Sequence, residues 1–332
     1  MITASQICAA FGLPSERATL ASLRHADFPT WRLNTSTGSY VVKRLVEPTE
    51  DFPRERFDRA MTLERSAIAA GIRTAEPVPP VHAGLGWCTK ITGHGWFRAH
   101  AWVDHRPMTA TDDIASWLGH TMATLHRLLP DPSEPDWPMM GIYPGSTWQS
   151  WFDEATSAGH EWGQTGLARL PYLEELTEHL RLLYSRPGRV LTHGDIDPGN
   201  VLITYSGPVL IDWDTVWPYS PTLQAGHVAH RFSGGDTGRA LAILAAYRDA
   251  GGQTDTVGDA LFHSIAGQKL ASLAIQITVL LGQLPAPRWM DTANADRLVE
   301  DRLRGLADFV ADLTDQAKRV LGQAGADRHK PD

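Results

Sequence analysis

Alternating apolar and polar residues dominate the first hundred positions of the chain and predict β-hairpins there. Polar turns at Thr35–Gly38 and Thr92–Gly95 each separate two segments rich in β-forming residues. The predicted strands cover residues 17–23, 31–34, 39–43, 87–91 and 96–102. Between them, residues 51–70 place apolar side chains at helical spacing. The pattern therefore predicts a five-stranded antiparallel sheet with one main helix.

Helical spacing dominates after Asp112, which is expected to cap the helix that follows it. Further helices are predicted at residues 147–162, 222–232, 236–250, 257–283 and 291–321. One β-hairpin interrupts this region, with apolar runs at residues 201–203 and 209–211 on either side of a Ser-Gly-Pro turn. The fold class expected is α+β, with a small sheet first and a mostly helical part after it.

The composition fits a globular chain and narrows its partners. The 332 residues are 42% hydrophobic and 20% charged, with a net charge of −8 and no block of Lys and Arg, so a nucleic-acid partner is not expected. The longest apolar stretch, residues 270–281, is too short and too polar to span a membrane. No signal peptide is expected, and two cysteines without a disulfide pattern favour the reducing cytoplasm.

Polar residues that strand packing does not explain lie at one end of the hairpin at 201–211. Asp195 and Asn200 precede its first strand, and Asp212 directly follows its second. Pairing the two strands brings Asn200 near Asp212. Carboxylate and amide oxygens are the ligands that Mg²⁺ prefers, so a magnesium site is predicted at this end of the hairpin.

The sequence HGDIDPGN, followed by LIDWD, resembles the catalytic and metal-binding loops of the aminoglycoside phosphotransferase family. That family has a two-lobed, protein-kinase-like fold. The resemblance implies an N-terminal nucleotide-binding lobe at residues 1–103 and a C-terminal catalytic and substrate-binding lobe at 104–332.

The same resemblance assigns roles to the loop residues. It implies that Asp195 orients the acceptor hydroxyl and takes up its proton, and that His193 braces the loop. It also implies that Asn200 and Asp212 hold Mg²⁺.

In the N-terminal lobe, Lys43 matches the strand lysine that holds the α- and β-phosphates in the family; the alternative is a lysine on an edge strand in solvent. Glu64 is the expected ion-pair partner of Lys43 and is favoured over Glu55 because it lies in the middle of its helix. The backbone of Ala101 and Val103 is expected to bind the purine. Backbone groups do not distinguish ATP from GTP.

Two departures from kinase patterns stand out. The segment Arg24–Thr30 contains no glycine, where the family usually covers the phosphates with a glycine-rich loop. The residues after Asp214 contain neither a long activation loop nor an A-P-E motif, and helices are predicted to resume at once. The second departure argues against a protein substrate.

The function implied is Mg²⁺-dependent transfer of the γ-phosphoryl group of ATP or GTP to a hydroxyl of a small molecule. An antibiotic or sugar-bearing compound such as an aminoglycoside is the leading acceptor, and an amino sugar, a choline-like alcohol or a homoserine-like metabolite is the alternative. A ligand-binding pseudokinase is less favoured, because the motif residues at 43, 195, 200 and 212 are all present. A monomer or a homodimer is expected.

Candidates for acceptor contact are Asp197 and Asp214, which suit a cationic acceptor or equally the capping of turns. Trp151 and Trp217 are further candidates. The helix that carries Trp151 forms either one wall of the acceptor site or a surface helix with buried tryptophans.

Overall fold

The computed structural model describes residues 2–24, 29–45, 54–82, 84–109, 111–131, 133–253, 257–287 and 290–327. The chain divides into two compact units. The first unit consists of Met1–Asp112 and Asp195–Val216, and the second of Asp113–Gly194 and Trp217–Asp332. The predicted lobes, nucleotide-binding at residues 1–103 and catalytic at 104–332, are defined by their expected functions. This division stays a prediction.

The elements confirm the predicted α+β class. The helices are α1 (Ala4–Phe11), α2 (Arg54–Ala69), α3 (Ala115–Leu128), α4 (Gly145–Ala158), α5 (Glu161–Tyr184), α6 (Pro221–Ser233), α7 (Thr237–Asp249), α8 (Ser264–Leu280), α9 (Ala295–Arg304) and α10 (Leu306–Asp327). The strands are β1 (Thr19–Arg24), β2 (Thr30–Thr35), β3 (Gly38–Leu45), β4 (Thr89–Ile91), β5 (Gly95–Ala101), β6 (Val190–Thr192), β7 (Val201–Thr204), β8 (Gly207–Leu210) and β9 (Trp217–Tyr219).

The first unit is built on the predicted five-stranded antiparallel sheet, with strand order β1-β2-β3-β5-β4. Leu33, Val42 and Phe97 of the sheet form a buried cluster with Ile7 and Phe11 of α1. The start of the predicted helix at 51–53, and residues 25–28 of the segment without glycine, lie outside the described residues.

The hairpin of β7 and β8 belongs to the first unit because backbone bonds tie it to the N-terminal part of the chain. Leu210 N donates to the Arg73 carbonyl, and Arg106 N donates to the Ile203 carbonyl, both at 3.0 Å. Lone bridges at Thr74 and Arg106 accompany these bonds. The hairpin is therefore part of the first unit, although it comes about 100 residues after the five-stranded sheet in the sequence.

The second unit is mostly helical and contains one short antiparallel pair, β6 with β9. The sequence pattern missed both β6 and β9, which are three residues long and are not part of a predicted hairpin. Among the described residues no helix combines the length and the apolarity that crossing a bilayer requires.

Four predicted helix boundaries are wrong. The helix predicted to begin at residue 257 begins only at Ser264, as α8. Asp112 does not cap α3; its carboxylate instead accepts bonds from Arg106 and from the Thr109 amide. The helix predicted at 147–162 ends before Gly159, whose φ of 87° terminates α4 in a left-handed cap. The helix predicted at 291–321 is divided at Gly305 into α9 and α10.

A close helix crossing in the second unit predicts that Gly119→Ala destabilises the protein. A Cβ at Gly119 of α3 would lie 2.4 Å from the Tyr247 nitrogen of α7, a backbone atom that cannot rotate away. Overpacking of this kind costs about 1–3 kcal/mol. The control is Gly322→Ala in α10, where no atom lies within 4 Å and the substitution should stabilise the helix by up to about 1 kcal/mol. Urea unfolding midpoints that shift in the same direction for both variants would contradict the crossing.

A buried histidine predicts a specific loss of stability in acid. His126 on α3 is 2% exposed, and its ring nitrogens contact Gln224 Oε1 at 2.6 Å and the Tyr247 hydroxyl at 2.8 Å. Because Gln224 Oε1 is an acceptor, Nε2 carries the proton and Nδ1 accepts from Tyr247. Burial lowers the pKa of His126 to about 4.

The unfolded chain binds a proton at this histidine near pH 6.5 and the folded chain near pH 4, so its stabilising contribution is full above pH 6.5 and is lost as the pH falls towards 4. The unfolding free energy of His126→Gln should therefore fall by about 2 kcal/mol less than that of wild type between pH 7 and pH 5. His120→Gln, at an exposed position on the same helix, is the control. Equal pH dependence in both variants would show that His126 is not held neutral.

Candidate active site

The hairpin of β7 and β8 brings the predicted metal ligands to one end. Val201 pairs with Leu210, and the Ile211 amide donates to the Asn200 carbonyl at 3.0 Å. Asn200 and Asp212 are therefore neighbours across the strand ends, as the sequence pattern predicted.

The loop before β7 holds Asp195 through Asn200. The Asn200 amide nitrogen donates to the Asp195 carbonyl at 2.9 Å and to Asp195 Oδ2 at 2.8 Å. Asp197 accepts from the Gly199 amide at 3.1 Å and so caps the 3₁₀ turn between them. Because the side-chain nitrogen of Asn200 is bonded to Asp195, the Oδ1 oxygen of Asn200 is the atom available to a cation.

Asp212 has a φ of 68°, in the left-handed region that side chains rarely adopt. Among residues other than glycine, Asp and Asn tolerate this conformation best. Strained backbone of this kind clusters at functional sites, where the surrounding structure holds it in place. The conformation turns the chain sharply directly after Ile211.

Lys43 on β3 makes two short ion pairs. Its Nζ lies 2.6 Å from Asp212 Oδ1 and 2.6 Å from Asp214 Oδ2. Burial lowers the pKa of the ammonium, but the charges of Asp214 and Asp212 raise it more, so the net shift is upward. Lys43 is therefore protonated at neutral pH.

Arg98 on β5 is a second buried cation in this cluster. Its Nη1 lies 3.0 Å from Asp214 Oδ1 and 3.7 Å from Glu64 Oε2. Burial opposes its charge, but Asp214 and Glu64 together raise its pKa. In Asp214 burial raises the pKa of the carboxyl, yet the charges of Arg98 and Lys43 lower it well below its usual range. Lys43, Arg98 and Asp214 thus form a network of ionised groups.

The predicted ion pair of Lys43 with Glu64 is replaced by other contacts. Glu64 is fully buried on α2, and its partners are Arg98 and His100, the latter at 2.9 Å from Oε1. Arg98 lies opposite Lys43 in the strand register and makes the ion pair with Glu64 in its place. The predicted pairing of Lys43 with Glu64, rather than Glu55, is therefore wrong, because Arg98 competes for this carboxylate.

A sequence signal for Arg98 was present in strand β5. Arg98 and His100 occupy alternate positions in the segment GWFRAHA, so both lie on one face of an otherwise apolar strand. A charged residue in the middle of a central strand is rarely buried unless it is paired. This pattern would have suggested a cation aimed at the same carboxylates as Lys43.

A cavity of about 430 Å³ opens beside the cluster within the first unit. Val41, Leu202 and Ile211 give it apolar walls, and Lys43 and Asp212 lie at its polar end. A volume of this size suits a small-molecule ligand.

The backbone of residues 101–103 lines the same cavity. The Ala101 amide donates to the Glu76 carbonyl at 2.8 Å and the Trp102 amide to Ser39 at 2.9 Å. No hydrogen bond among the described residues uses the Val103 amide, so this donor is available to a ligand. The Val103 carbonyl contacts His105 Nδ1 at 2.8 Å.

The donor set at the hairpin end fits a magnesium ion. One amide oxygen, from Asn200, and one carboxylate, from Asp212, are few ligands, but Mg²⁺ is commonly bound through one or two carboxylates with phosphates and water completing its shell. No group of three or more His, Cys, Asp or Glu side chains suited to a metal occurs in the described part of the chain. The site therefore suits a metal that arrives with a phosphate ligand.

The other predicted site residues lie in the second unit. His193 is fully buried directly after β6. Trp217 on β9 accepts a bond at its carbonyl from Thr192 Oγ1 at 3.1 Å. Trp151 on α4 contacts Tyr143 and Trp148 through near-perpendicular rings at centroid distances of 5.1 and 5.2 Å. Trp151 is thus half-buried in an aromatic cluster, which leaves both of its predicted roles open.

Known structures share this fold. An amicoumacin kinase in complex with AMP-PNP, Ca²⁺ and Ami is 14% identical and covers 92% of each chain, with a TM-score of 0.63. The AMP-bound complex of a spectinomycin phosphotransferase is 14% identical over 95% of this chain and 98% of that one, with a TM-score of 0.59. A choline/ethanolamine kinase family protein from Mesorhizobium loti also has 14% identity and a TM-score of 0.59, covering 95% and 97%.

None of the curated proteins compared with this chain matches it significantly in sequence. The family model described as APH, phosphotransferase enzyme family, matches residues 19–261. The match spans β1 to β9 and so includes the sheet, the cavity and the buried charge cluster. Because it covers more than half of the chain, this protein belongs to the phosphotransferase enzyme family.

Proposed function

We propose that this protein uses Mg²⁺ and transfers the γ-phosphoryl group of ATP to a hydroxyl group of a small molecule. The observation that carries the proposal is the polar end of the cavity. There a protonated lysine, Lys43, contacts the carboxylate of Asp212, and Asn200 lines the same cavity together with apolar side chains. Phosphoryl transfer needs mostly positioning and charge neutralisation, which such groups supply.

The apolar walls suit the purine of the donor. Val41, Leu202 and Ile211 offer apolar contacts to a flat ring, and the Val103 amide can bond its edge. Two of the solved relatives carry AMP-PNP and AMP, which favours ATP over GTP as the donor.

Asn200 Oδ1 and Asp212 would hold the magnesium ion. When bound, the ion would neutralise charge on the phosphate oxygens. Asp195 would orient the acceptor hydroxyl and take up its proton, because its carboxylate is fixed by the Asn200 amide. His193, buried before this loop, would keep the loop in place.

The acceptor we favour is an antibiotic or another sugar-bearing compound, such as an aminoglycoside. Two of the solved relatives are named for the antibiotics amicoumacin and spectinomycin, and one belongs to a choline/ethanolamine kinase family. A choline-like alcohol or another amino-alcohol metabolite is therefore the second candidate. Asp197, Trp151 and Trp217 remain our candidates for acceptor contact, whereas two cations already engage Asp214.

A cytoplasmic location fits an enzyme that uses ATP. Cys8 and Cys88 are both buried as free thiols, and burial raises the pKa of Cys88 to about 12. Both thiols are therefore shielded from reaction.

Asp195→Asn tests the proposed base. The amide keeps the shape but cannot accept the proton, so turnover should fall about a hundredfold or more while ATP affinity stays close to wild type. The assay measures the formation of ADP from ATP in the presence of Mg²⁺. Aminoglycosides, other antibiotics, amino sugars and amino alcohols are supplied in turn as the acceptor. The matched control is Asp249→Asn, an exposed carboxylate on α7. Wild-type turnover in Asp195→Asn would refute the role of Asp195.

A second prediction concerns competition between Lys43 and the metal for Asp212. In the nucleotide-free protein the ammonium occupies the Asp212 carboxylate, so Lys43→Met should bind Mn²⁺, a probe for Mg²⁺, about tenfold more tightly. The same variant should bind ADP more weakly, because it lacks the phosphate-binding cation.

Asp212→Asn should bind Mn²⁺ more weakly while keeping the left-handed backbone, which Asn tolerates. Glu55→Gln, an exposed position on α2, is the control. Electron paramagnetic resonance of free Mn²⁺ gives the affinities. Unchanged Mn²⁺ binding in both Lys43→Met and Asp212→Asn would place the metal elsewhere.

A further inference from the structure

Four side chains in the first unit form a continuous chain of alternating charge. Glu64 Oε2 lies 3.7 Å from Arg98 Nη1, which lies 3.0 Å from Asp214 Oδ1. The second oxygen of Asp214, Oδ2, lies 2.6 Å from Lys43 Nζ. The Asp214 carboxylate thus bridges the two cations with one oxygen each.

The strand register explains why these acids are needed. Lys43 and Arg98 are direct partners across β3 and β5, an arrangement that is unfavourable for like charges. The Arg98 side chain is 5% exposed and Glu64 is fully buried, so water screens little of this charge. Asp214 and Glu64 compensate two cations that would otherwise repel each other.

The two carboxylates on Lys43 differ in what else holds them. Asp212 lies at the proposed metal site and its side chain is 32% exposed, whereas the side chain of Asp214 is 17% exposed and bonded to Arg98. A metal that takes Asp212 removes one partner of Lys43. Asp214 then remains, in a position set by Arg98.

We propose that Arg98 and Asp214 act as positioning residues that hold the Lys43 ammonium for the nucleotide phosphates, while Glu64 acts on Lys43 only through Arg98. This inference rests on the proposed function, because it assumes that Lys43 binds phosphate. It gives the buried arginine of β5 a part in nucleotide binding.

The test separates phosphate contacts from purine contacts. ADP and adenosine are titrated calorimetrically into the full-length protein with excess chelator, so that no metal contributes. Asp214→Asn and Arg98→Met should each weaken ADP binding about 10- to 100-fold, the effect of losing one charge-assisted hydrogen bond. Adenosine affinity should change less than twofold, because the purine end of the cavity is untouched.

The matched controls come from a second arginine–aspartate pair in the same unit. Arg106 Nη1 donates to Asp112 Oδ2 at 2.8 Å, and neither residue lines the cavity. Arg106→Met and Asp112→Asn should leave both affinities unchanged. Equal losses of ADP and adenosine affinity in the test variants would mean that Arg98 and Asp214 only support the fold, and would overturn the inference.

Arg98→Met leaves the buried Glu64 without its arginine partner, with the contact to His100 remaining, and risks misfolding. The double variant Arg98→Met with Glu64→Gln removes both charges and should recover thermal stability, yet still bind ADP weakly. In a Lys43→Met background, Asp214→Asn should weaken ADP binding no further, since both act through one contact. Additive losses there would contradict a positioning role.

The inference and the proposed function fail differently. A wild-type protein that binds neither ADP nor adenosine and transfers no phosphoryl group would refute the proposed function itself. A wild type that binds ADP more tightly than adenosine, with variants at 98 and 214 that do the same, would refute only the positioning role.

Discussion

The contact on which the candidate site depends is the carboxylate of Asp214 between two cations. Removing ionised groups from water is costly, and such groups persist in a protein interior only when opposite charges and hydrogen bonds compensate them. Here one carboxylate serves Arg98 at 3.0 Å and Lys43 at 2.6 Å, while Glu64 supports the arginine from α2. The sheet, the main helix and the segment that follows the hairpin each contribute to this small cluster.

The backbone explains how those groups meet. Antiparallel pairing of β3 with β5 places Lys43 opposite Arg98, and pairing of β7 with β8 ends beside Asn200 and Ile211. Backbone hydrogen bonds from Leu210 to the Arg73 carbonyl and from Arg106 to the Ile203 carbonyl fix that hairpin within the first unit. The left-handed residue Asp212 then turns the chain after the hairpin. Local rules of strand pairing and turn geometry thus produce a cluster of residues that are far apart in sequence.

Much of this architecture could be predicted from the sequence, and the reasons for success and failure are physical. The five strands, the main helix and the late hairpin follow from the periodicity of apolar residues and from turn residues, and the structure confirms them. The proximity of Asn200 and Asp212 follows from pairing the hairpin strands. By contrast, the partner of Glu64 depends on whether the side chain of Lys43 or that of Arg98 lies closer to it in the folded protein. The periodicity of apolar residues carries no information on these side-chain distances. The strands β6 and β9 were not predicted, because each has three residues and pairs with a strand distant in sequence rather than in a hairpin.

Membership of the phosphotransferase family and the geometry of the charged end of the cavity support one account. In it, the Lys43 ammonium is paired with the carboxylates of Asp212 and Asp214 until the phosphates of a nucleotide bind. A crystal structure with Mg²⁺ and a non-hydrolysable ATP analogue tests this account most directly. We expect the Lys43 ammonium to leave Asp212 for the nucleotide phosphates, the metal to lie on Asn200 and Asp212, and the contact between Arg98 and Asp214 to persist. A nucleotide whose phosphates lie away from Lys43, with the ammonium still on Asp212, would contradict the account.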